Sequence, residues 1–396
     1  MVGRFFFALD LLRLVVNLAH LLVRYMKLTI GILKEQAAER RVAVVPEVVA
    51  EWVASGAEVF FEPDCGLGAG YSPLAYEQAG ARMRSRSDIF ALSQVMCSVQ
   101  PIDEADCPLL RPDQVLIGMY QPLSRPSFID DLAKTGVHIL SLDAIPRITR
   151  AQAMDVLSSQ SSIAGYQAVL RAAALLPRVF PMMMTAAGTL APARVLVVGA
   201  GVAGLQAIAT AKRLGAVVSA FDTRISVKEQ VESLGASFVD VEGAKEDRSA
   251  GGYAVEQDAD YQRRQQAALA DRVRHSDVVI TTALIPGKPA PRLINQAMIE
   301  SMRPGSVVVD MASTSGGNCE LTVDESVVVH AGISIIGSSL LAAEKAQDAS
   351  RVFSRNVQRL MNLCMGSDGF ILNRDDEIIA GCLLTYNGSV VWPGYH

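Results

Sequence analysis

The chain has 396 residues, half of them hydrophobic, enough to fill two cores rather than one. Acidic residues outnumber basic ones by 41 to 36, a formal net charge of -5, so no basic surface argues for nucleic acid as a partner. Mean hydropathy is +0.27, yet the longest uncharged run of the globular part, Val195 to Ala211, has only 17 residues and holds three glycines, which is no membrane span.

Residues 1–25 differ in pattern from the rest of the chain. Asp10, Arg13, Asn17, His20 and Arg24 fall on one stripe of a helix otherwise made of Leu and Val. Charges inside the apolar run and no small-residue cleavage site argue against a secretory signal. The expectation is an extension outside the functional fold, with an interfacial helix as the alternative.

From Met26 the pattern alternates strand and helix. Leu28 to Leu33, Glu58 to Glu62, Gln94 to Val99, Val115 to Met119 and His138 to Leu142 read as strands, with helices such as Pro46 to Ser55 and Ser127 to Thr135 between them. This predicts one parallel α/β domain. Gly66-Leu67-Gly68-Ala69-Gly70 has the spacing of a phosphate loop, but no lysine follows, so it reads as a flexible surface loop. Arg147 to Leu176 reads as a further helical stretch, and the run Met182-Met183-Met184 as core packing.

A second domain opens with Val195 to Val198, an apolar run too short for a helix, leading into Gly199-Ala200-Gly201-Val202-Ala203-Gly204 and a helical pattern to Leu214. Gly199 permits the tight turn, Gly201 lets the backbone approach a pyrophosphate, and Gly204 lets helix and strand pack closely. The helix start adds free N–H groups and a positive dipole end. The next strand ends at Asp222, whose carboxylate can accept ribose hydroxyls and repels a 2′-phosphate, which favours NAD over NADP. Arg224 could meet a 2′-phosphate instead, or serve as a solvated loop charge or adenine neighbour.

Four more strands are expected: Ser237 to Val241, Asp277 to Thr282, Ser306 to Asp310 and Ile333 to Ile336, making six, the doubly wound count. Gly243 to Asp271 breaks the rhythm, and Gly251-Gly252-Tyr253 within it offers a hinge and a cover, as a lid needs. A long helical pattern, Ala342 to Met365, then leads to Glu377 to Tyr386 and Ser389 to Trp392, joined by the type I′ signal Asn387-Gly388. The predicted fold is α/β with two Rossmann-like doubly wound parallel-sheet domains. The first is discontinuous, 26–155 plus 343–396, and ends in a C-terminal β-hairpin; the second, the NAD-binding domain, spans 156–342. The cysteines at 65, 97, 107, 319, 364 and 382 form no C-x-x-C and have no nearby histidine spacing, so they read as buried thiols of a reducing cytoplasm and no metal site is expected.

With these residues in place, Lys27 to Pro393 resembles the soluble NAD(H)-binding alpha subunits of proton-translocating NAD(P) transhydrogenases, in the family that also holds alanine dehydrogenase. Gly31-Ile32-Leu33-Lys34-Glu35 and Arg40-Arg41-Val42-Ala43 match both groups. Pro146-Arg147-Ile148-Thr149-Arg150-Ala151-Gln152-Ala153-Met154-Asp155-Val156-Leu157-Ser158 is similar to the transhydrogenase loop that grips the nicotinamide, and Pro181 to Gly188, Ala250 to Ala254 and Thr281 to Pro291 look specific to the same group. The resemblance implies that Arg147, Asp155 and Ser158 hold the carboxamide and ribose, that Gln152 reaches toward the second nucleotide, and that Tyr253 closes the lid. It implies further that the backbone of Ile148 and Thr149 lines the nicotinamide side and that Ala200, Gly201 and Val202 take the pyrophosphate. Asp222, Thr223 and Arg224 would hold the adenosine, while Gly252, Gln265 and Leu284 complete the pocket. Two stretches depart from the family: Ala312-Ser313-Thr314-Ser315 replaces an acidic run, and Gly337 to Lys345 lacks the Asn/Asp-x-Pro-Ser-Arg that precedes the return helix there, which puts that helix in question.

The resemblance also implies partners: membrane-embedded and NADP(H)-binding subunits, a homodimer, and a place at the cytoplasmic face of the inner membrane. Its rival is an amino-acid dehydrogenase, which would need a substrate lysine where Val99-Gln100-Pro101 stands and a histidine where Met119-Tyr120-Gln121-Pro122 stands. A non-catalytic nucleotide sensor is a third reading, though it has no use for a polar nicotinamide grip. Hydride exchange between two nicotinamides moves no proton at either ring, so it needs close approach of the two C4 atoms and exclusion of water rather than a general base.

Overall fold

The computed structural model describes residues 28–36, 38–241, 259–366 and 369–395. The expected N-terminal extension lies outside them, as do Gly252, Tyr253 and residues 243–258 of the expected lid. Contacts divide the chain into two units, Met1–Val156 with Ala346–His396, and Leu157–Lys345.

The first unit is built on Thr29–Ile32 (β1), Glu58–Phe61 (β2), Arg82–Met83 (β3), Val95–Cys97 (β4), Val115–Gly118 (β5) and His138–Ser141 (β6), all parallel. The central strands β4, β5 and β6 are buried along their whole length, as strands covered on both faces must be. From β1 the chain winds outward to β2 and β3, then restarts on the other side of β1 with β4. Gly66–Gly70 is not the flexible surface loop expected. Leu67–Ala69 makes one 3-10 turn with Ala69 buried, and a Cβ on Gly68 would come within 2.6 Å of the Arg40 carbonyl. Its glycines permit tight packing, not phosphate contact.

The second unit opens with the Val156–Leu175 helix and an antiparallel pair, Met183–Thr185 (β7) and Gly188–Leu190 (β8). Here the core-packing expectation fails: every residue of the pair is exposed, Met184 to 80%. Arg194–Val198 (β9), Val217–Phe221 (β10), Ser237–Phe238 (β11), Val278–Thr281 (β12) and Val307–Asp310 (β13) follow, and the sheet reverses at β9, between β10 and β12. It has seven strands where six were expected. Ser326–His330 (β14) runs antiparallel to Ile333–Gly337 (β15) and forms one edge, so the sheet is mixed. The turn between them uses Ala331 and Gly332 at φ 49° and 78°, the left-handed pair of a two-residue hairpin, but alanine does not advertise it.

The departures at 337–345 leave the chain well anchored. Glu325 accepts from the backbone of Ser339 at 2.7 Å and Leu340 at 3.1 Å and from both serine hydroxyls. The return helix forms at Ala346–Cys364, burying Phe353, Val357, Leu360 and Met361. Ser350 and Ser354 on it receive the backbone N–H groups of Val42 and Val45, donors that burial would otherwise leave without a partner. A short pair, Met365–Gly366 (β16) and Gly369–Phe370 (β17), precedes the C-terminal segment. Glu377–Cys382 is a helix rather than the start of a strand, started by Asp376, whose side chain accepts from Ile378 N. Leu383–Tyr386 (β18) then pairs antiparallel with β6 and with Ser389–Val390 (β19). Asn387 and Gly388 stand at φ 48° and 78°, as a type I′ turn requires.

Candidate functional site

In an open α/β sheet, ligands lie beyond the carboxyl ends of the strands where the strand order reverses. In the second unit that place is the end of β9 and β12, and the glycine motif occupies it. Gly199 sits at φ 101°, a conformation that favours glycine. A Cβ on Gly204 would fall 1.9 Å from the Gly199 carbonyl, and one on Gly165 would fall 2.1 Å from the Ala203 carbonyl. Both glycines therefore let neighbouring backbone come close to the first turn of the Val202–Arg213 helix. Gly201 differs: nothing stands within 4 Å of where its Cβ would be. Beside this open space the first-turn N–H groups of the helix have no partner within the helix itself, and Val202 is exposed. The geometry fits a pyrophosphate.

Asp222 follows β10 and is buried. Its Oδ2 accepts from Ala200 N at 2.8 Å and from Arg224 Nη2 at 2.7 Å, while Oδ1 accepts from Arg224 N and Nε, both at 2.9 Å. The two residues that sequence sets in competition are thus an ion pair, and Thr223 is the half-buried link between them. On the other side of the crevice Thr282 donates its N–H to Val198 O and its hydroxyl to Gly199 O at 3.1 Å. Leu284 is exposed two residues on, while Gln265 is buried on the Ala259–Arg274 helix.

In the first unit Arg147 to Asp155 is not the start of a long helix. Thr149–Met154 forms a separate 3-10 turn, and the Val156–Leu175 helix begins after an extended Asp155. The turn is bolted to its unit from below: Ala151 and Met154 enter the core, Asn356 donates to Ala153 O at 2.9 Å, and Arg150 pairs with Asp376 at 2.7 Å. Arg147, Thr149 and Gln152 face outward, Ile148 and Asp155 are half-buried, and half-buried Ser158 belongs to the helix in the second unit. Arg150 and Asn356 escape a reading of the sequence because their partners lie more than two hundred residues away.

The matching reversal point of the first unit, between β1 and β4, is filled by the chain's own side chains. Glu35 accepts from Val99 N at 2.5 Å and Gln100 N at 3.1 Å, and Gln100 donates to Glu39 at 3.1 Å. Arg41 is committed to Glu39 at 2.6 Å with both side chains buried. Burial pushes the Glu35 carboxyl up to about 8. Burial also works against the Glu39 charge, but hydrogen bonding and attraction from Arg41 hold that carboxyl below its ordinary value. The missing Lys and His of an amino-acid dehydrogenase thus correspond here to Gln100, bonded to Glu39, and to exposed Gln121, whose N–H is bonded to Asp143.

A model of the alanine dehydrogenase/PNT N-terminal domain matches residues 31–164, and one of the C-terminal domain matches residues 168–393. The chain belongs to the alanine dehydrogenase/PNT family. It is 42% identical over 377 residues to the first of the polypeptides that make up NAD(P) transhydrogenase subunit alpha in Rhodospirillum rubrum, covering 92% of this chain and 98% of that protein. It is 31% identical to the alanine dehydrogenase of Halomonas elongata, over 70% of each. Among solved structures, a transhydrogenase from Sinorhizobium meliloti matches with TM-score 0.84 and 42% identity, covering 92% of this chain and all of that one. An L-alanine dehydrogenase shares the fold at TM-score 0.77 and 24% identity, covering 93% of this chain and 98% of that one. No helix among the described residues is long and apolar enough to cross a membrane.

Proposed function

We propose that the chain is the NAD(H)-binding alpha subunit of a proton-translocating NAD(P) transhydrogenase. Bound NADH supplies a hydride to NADP⁺ held on a partner subunit, and separate membrane-embedded subunits couple the exchange to proton movement. The observation that carries the reading is the open Gly201 turn beside the buried Asp222, in a chain whose own first-unit crevice is packed shut by Glu35, Glu39, Arg41 and Gln100.

The residues divide the work by position. Gly199, Ala200, Gly201, Val202 and Gly204 form the pyrophosphate turn, and Asp222, Thr223 and Arg224 hold the adenosine ribose. Arg147, Asp155 and Ser158 orient the carboxamide, which carries one acceptor and two donor hydrogens and so can be fixed by a cation and a carboxylate together. Ile148, Thr149 and Leu284 line the ring, with Gln265 behind them, and Gln152 reaches the second nucleotide. Gly252 and Tyr253 supply the cover that excludes water. No proton moves at either nicotinamide, so orientation and dryness suffice.

The proposal includes a homodimer at the cytoplasmic face of the inner membrane. Support for the dimer comes from the β7–β8 ribbon: Val179 to Ala193 holds no charged residue, and Met182, Met183, Met184 and Leu190 are exposed. A two-stranded ribbon of that kind is marginal alone in water. A second copy covers it by the same surface in return, as two-fold symmetry allows. The function is tested by mixing the purified chain with NADH and, separately, with NAD⁺ and alanine. NADH binds with a change in its fluorescence, and alanine yields no NAD⁺ reduction; alanine-driven reduction overturns the reading.

A further inference from the structure

Asp222, after β10, marks the adenosine side of the crevice, so the ends of β12 and β13 face the other half of a dinucleotide lying across the reversal point. The chain leaves β12 through Thr282 and Ala283 and loops to Pro291. One buried side chain pins both ends of that loop. Asn318 accepts from Ala283 N at 3.0 Å, donates to Ala283 O at 2.8 Å, and gives its second amide hydrogen to Pro291 O at 2.9 Å. A side-chain amide has the donor and acceptor arrangement of a peptide group, so Asn318 stands in for a neighbouring strand where the sheet has ended. It is itself fixed through the next residue, since Cys319 N donates to buried Asp310 at 2.9 Å, and Asp310 also receives the Thr281 hydroxyl at 3.0 Å. Upstream, Thr282 ties the same loop to the Gly199 carbonyl. A continuous set of bonds therefore runs from the pyrophosphate turn to Asn318.

We infer that Asn318 is a positioning residue for the nicotinamide half of the site, setting the 283–291 loop and with it Leu284; the role rests on the proposed reading of this crevice as the NADH site. It is set apart from general stabilisation by where its loss is felt. Asn318→Asp keeps the shape and can still accept from Ala283 N, but it loses both donors and turns a charge toward two carbonyls. Asn318→Ala removes the amide without adding charge.

The test compares NADH with AMP, which engages only the adenosine half, by titration calorimetry on wild type and both variants. The expected result is NADH affinity reduced roughly tenfold in each variant, with AMP affinity held within about twofold. Unchanged NADH affinity overturns the role, and so does a parallel loss of AMP binding, which would make Asn318 a general support of the unit. Wild-type protein that binds AMP but not NADH instead brings down the reading of the site.

Discussion

Arg224 folds back on Asp222 through three hydrogen bonds, with Nη2 2.7 Å from Oδ2 and both N and Nε 2.9 Å from Oδ1. The arginine is spent on the carboxylate, so a 2′-phosphate entering here would meet a cation already neutralised and an anion it must displace. Wild type is expected to bind NADH at least tenfold more tightly than NADPH, the free-energy equivalent of about 1.4 kcal/mol. Asp222→Ser frees Arg224 and should narrow or invert that ratio. Equal affinities in the wild type by calorimetry would contradict the pairing's role.

Two glycines in one turn should respond oppositely. Gly204→Ala drives a methyl into the Gly199 carbonyl and should lower the melting temperature sharply, as overpacking costs about 1–3 kcal/mol or more. Gly201→Ala meets only open space; the fold should melt as wild type while NADH affinity falls by a factor of about ten or more, about 1.4 kcal/mol. Thermal melts and NADH titrations of both variants decide it.

Glu35 makes stability depend on pH. Its carboxyl sits at about 8 in the fold through burial, against an ordinary value of 4.5. The folded state therefore binds the proton more tightly than the unfolded chain. Its contribution is complete below about pH 4.5 and drains away as pH rises to about 8. Melting temperature is expected to fall over that window, and Glu35→Gln to flatten the slope even if it shifts the whole curve. An unchanged slope in the variant would show that the carboxyl is not the group responsible.

The exposed ribbon gives a test of assembly. Replacing Met182 and Met184 with serine should convert dimer to monomer in sedimentation velocity while leaving NADH binding intact. A wild type that sediments as a monomer, or a variant that stays dimeric, would remove the ribbon from the interface.

Local chemistry carries most of what is legible in the sequence. The turn at Gly199 to Gly204, its helix and the strand ending at Asp222 are adjacent in sequence and obey short-range rules, and Asn387-Gly388 names its own turn. What escapes is set by distant partners or by absent neighbours. The β14 edge turns on Ala331, a residue with no turn signature, and the methionine run looks like core because apolar composition does not say what covers it. Arg150 gains its role from Asp376, and Asn318 from Ala283, thirty-five residues upstream. The Asp222–Arg224 pair is hidden for another reason: in sequence each residue is weighed against a ligand and not against the other.

The central claim is that this chain presents NADH to a nucleotide held by another subunit, and rapid mixing tests it most directly. Protein loaded with NADH is mixed with an NADP⁺ analogue, alone and together with the NADP(H)-binding partner, and hydride transfer is followed by absorbance. Transfer is expected only with the partner present, and Gln152→Ala should slow it while NADH affinity holds, because a residue bridging two nucleotides matters only when both are bound. Transfer without the partner, or a Gln152→Ala variant that loses NADH affinity as fully as Arg147→Ala does, would contradict the account.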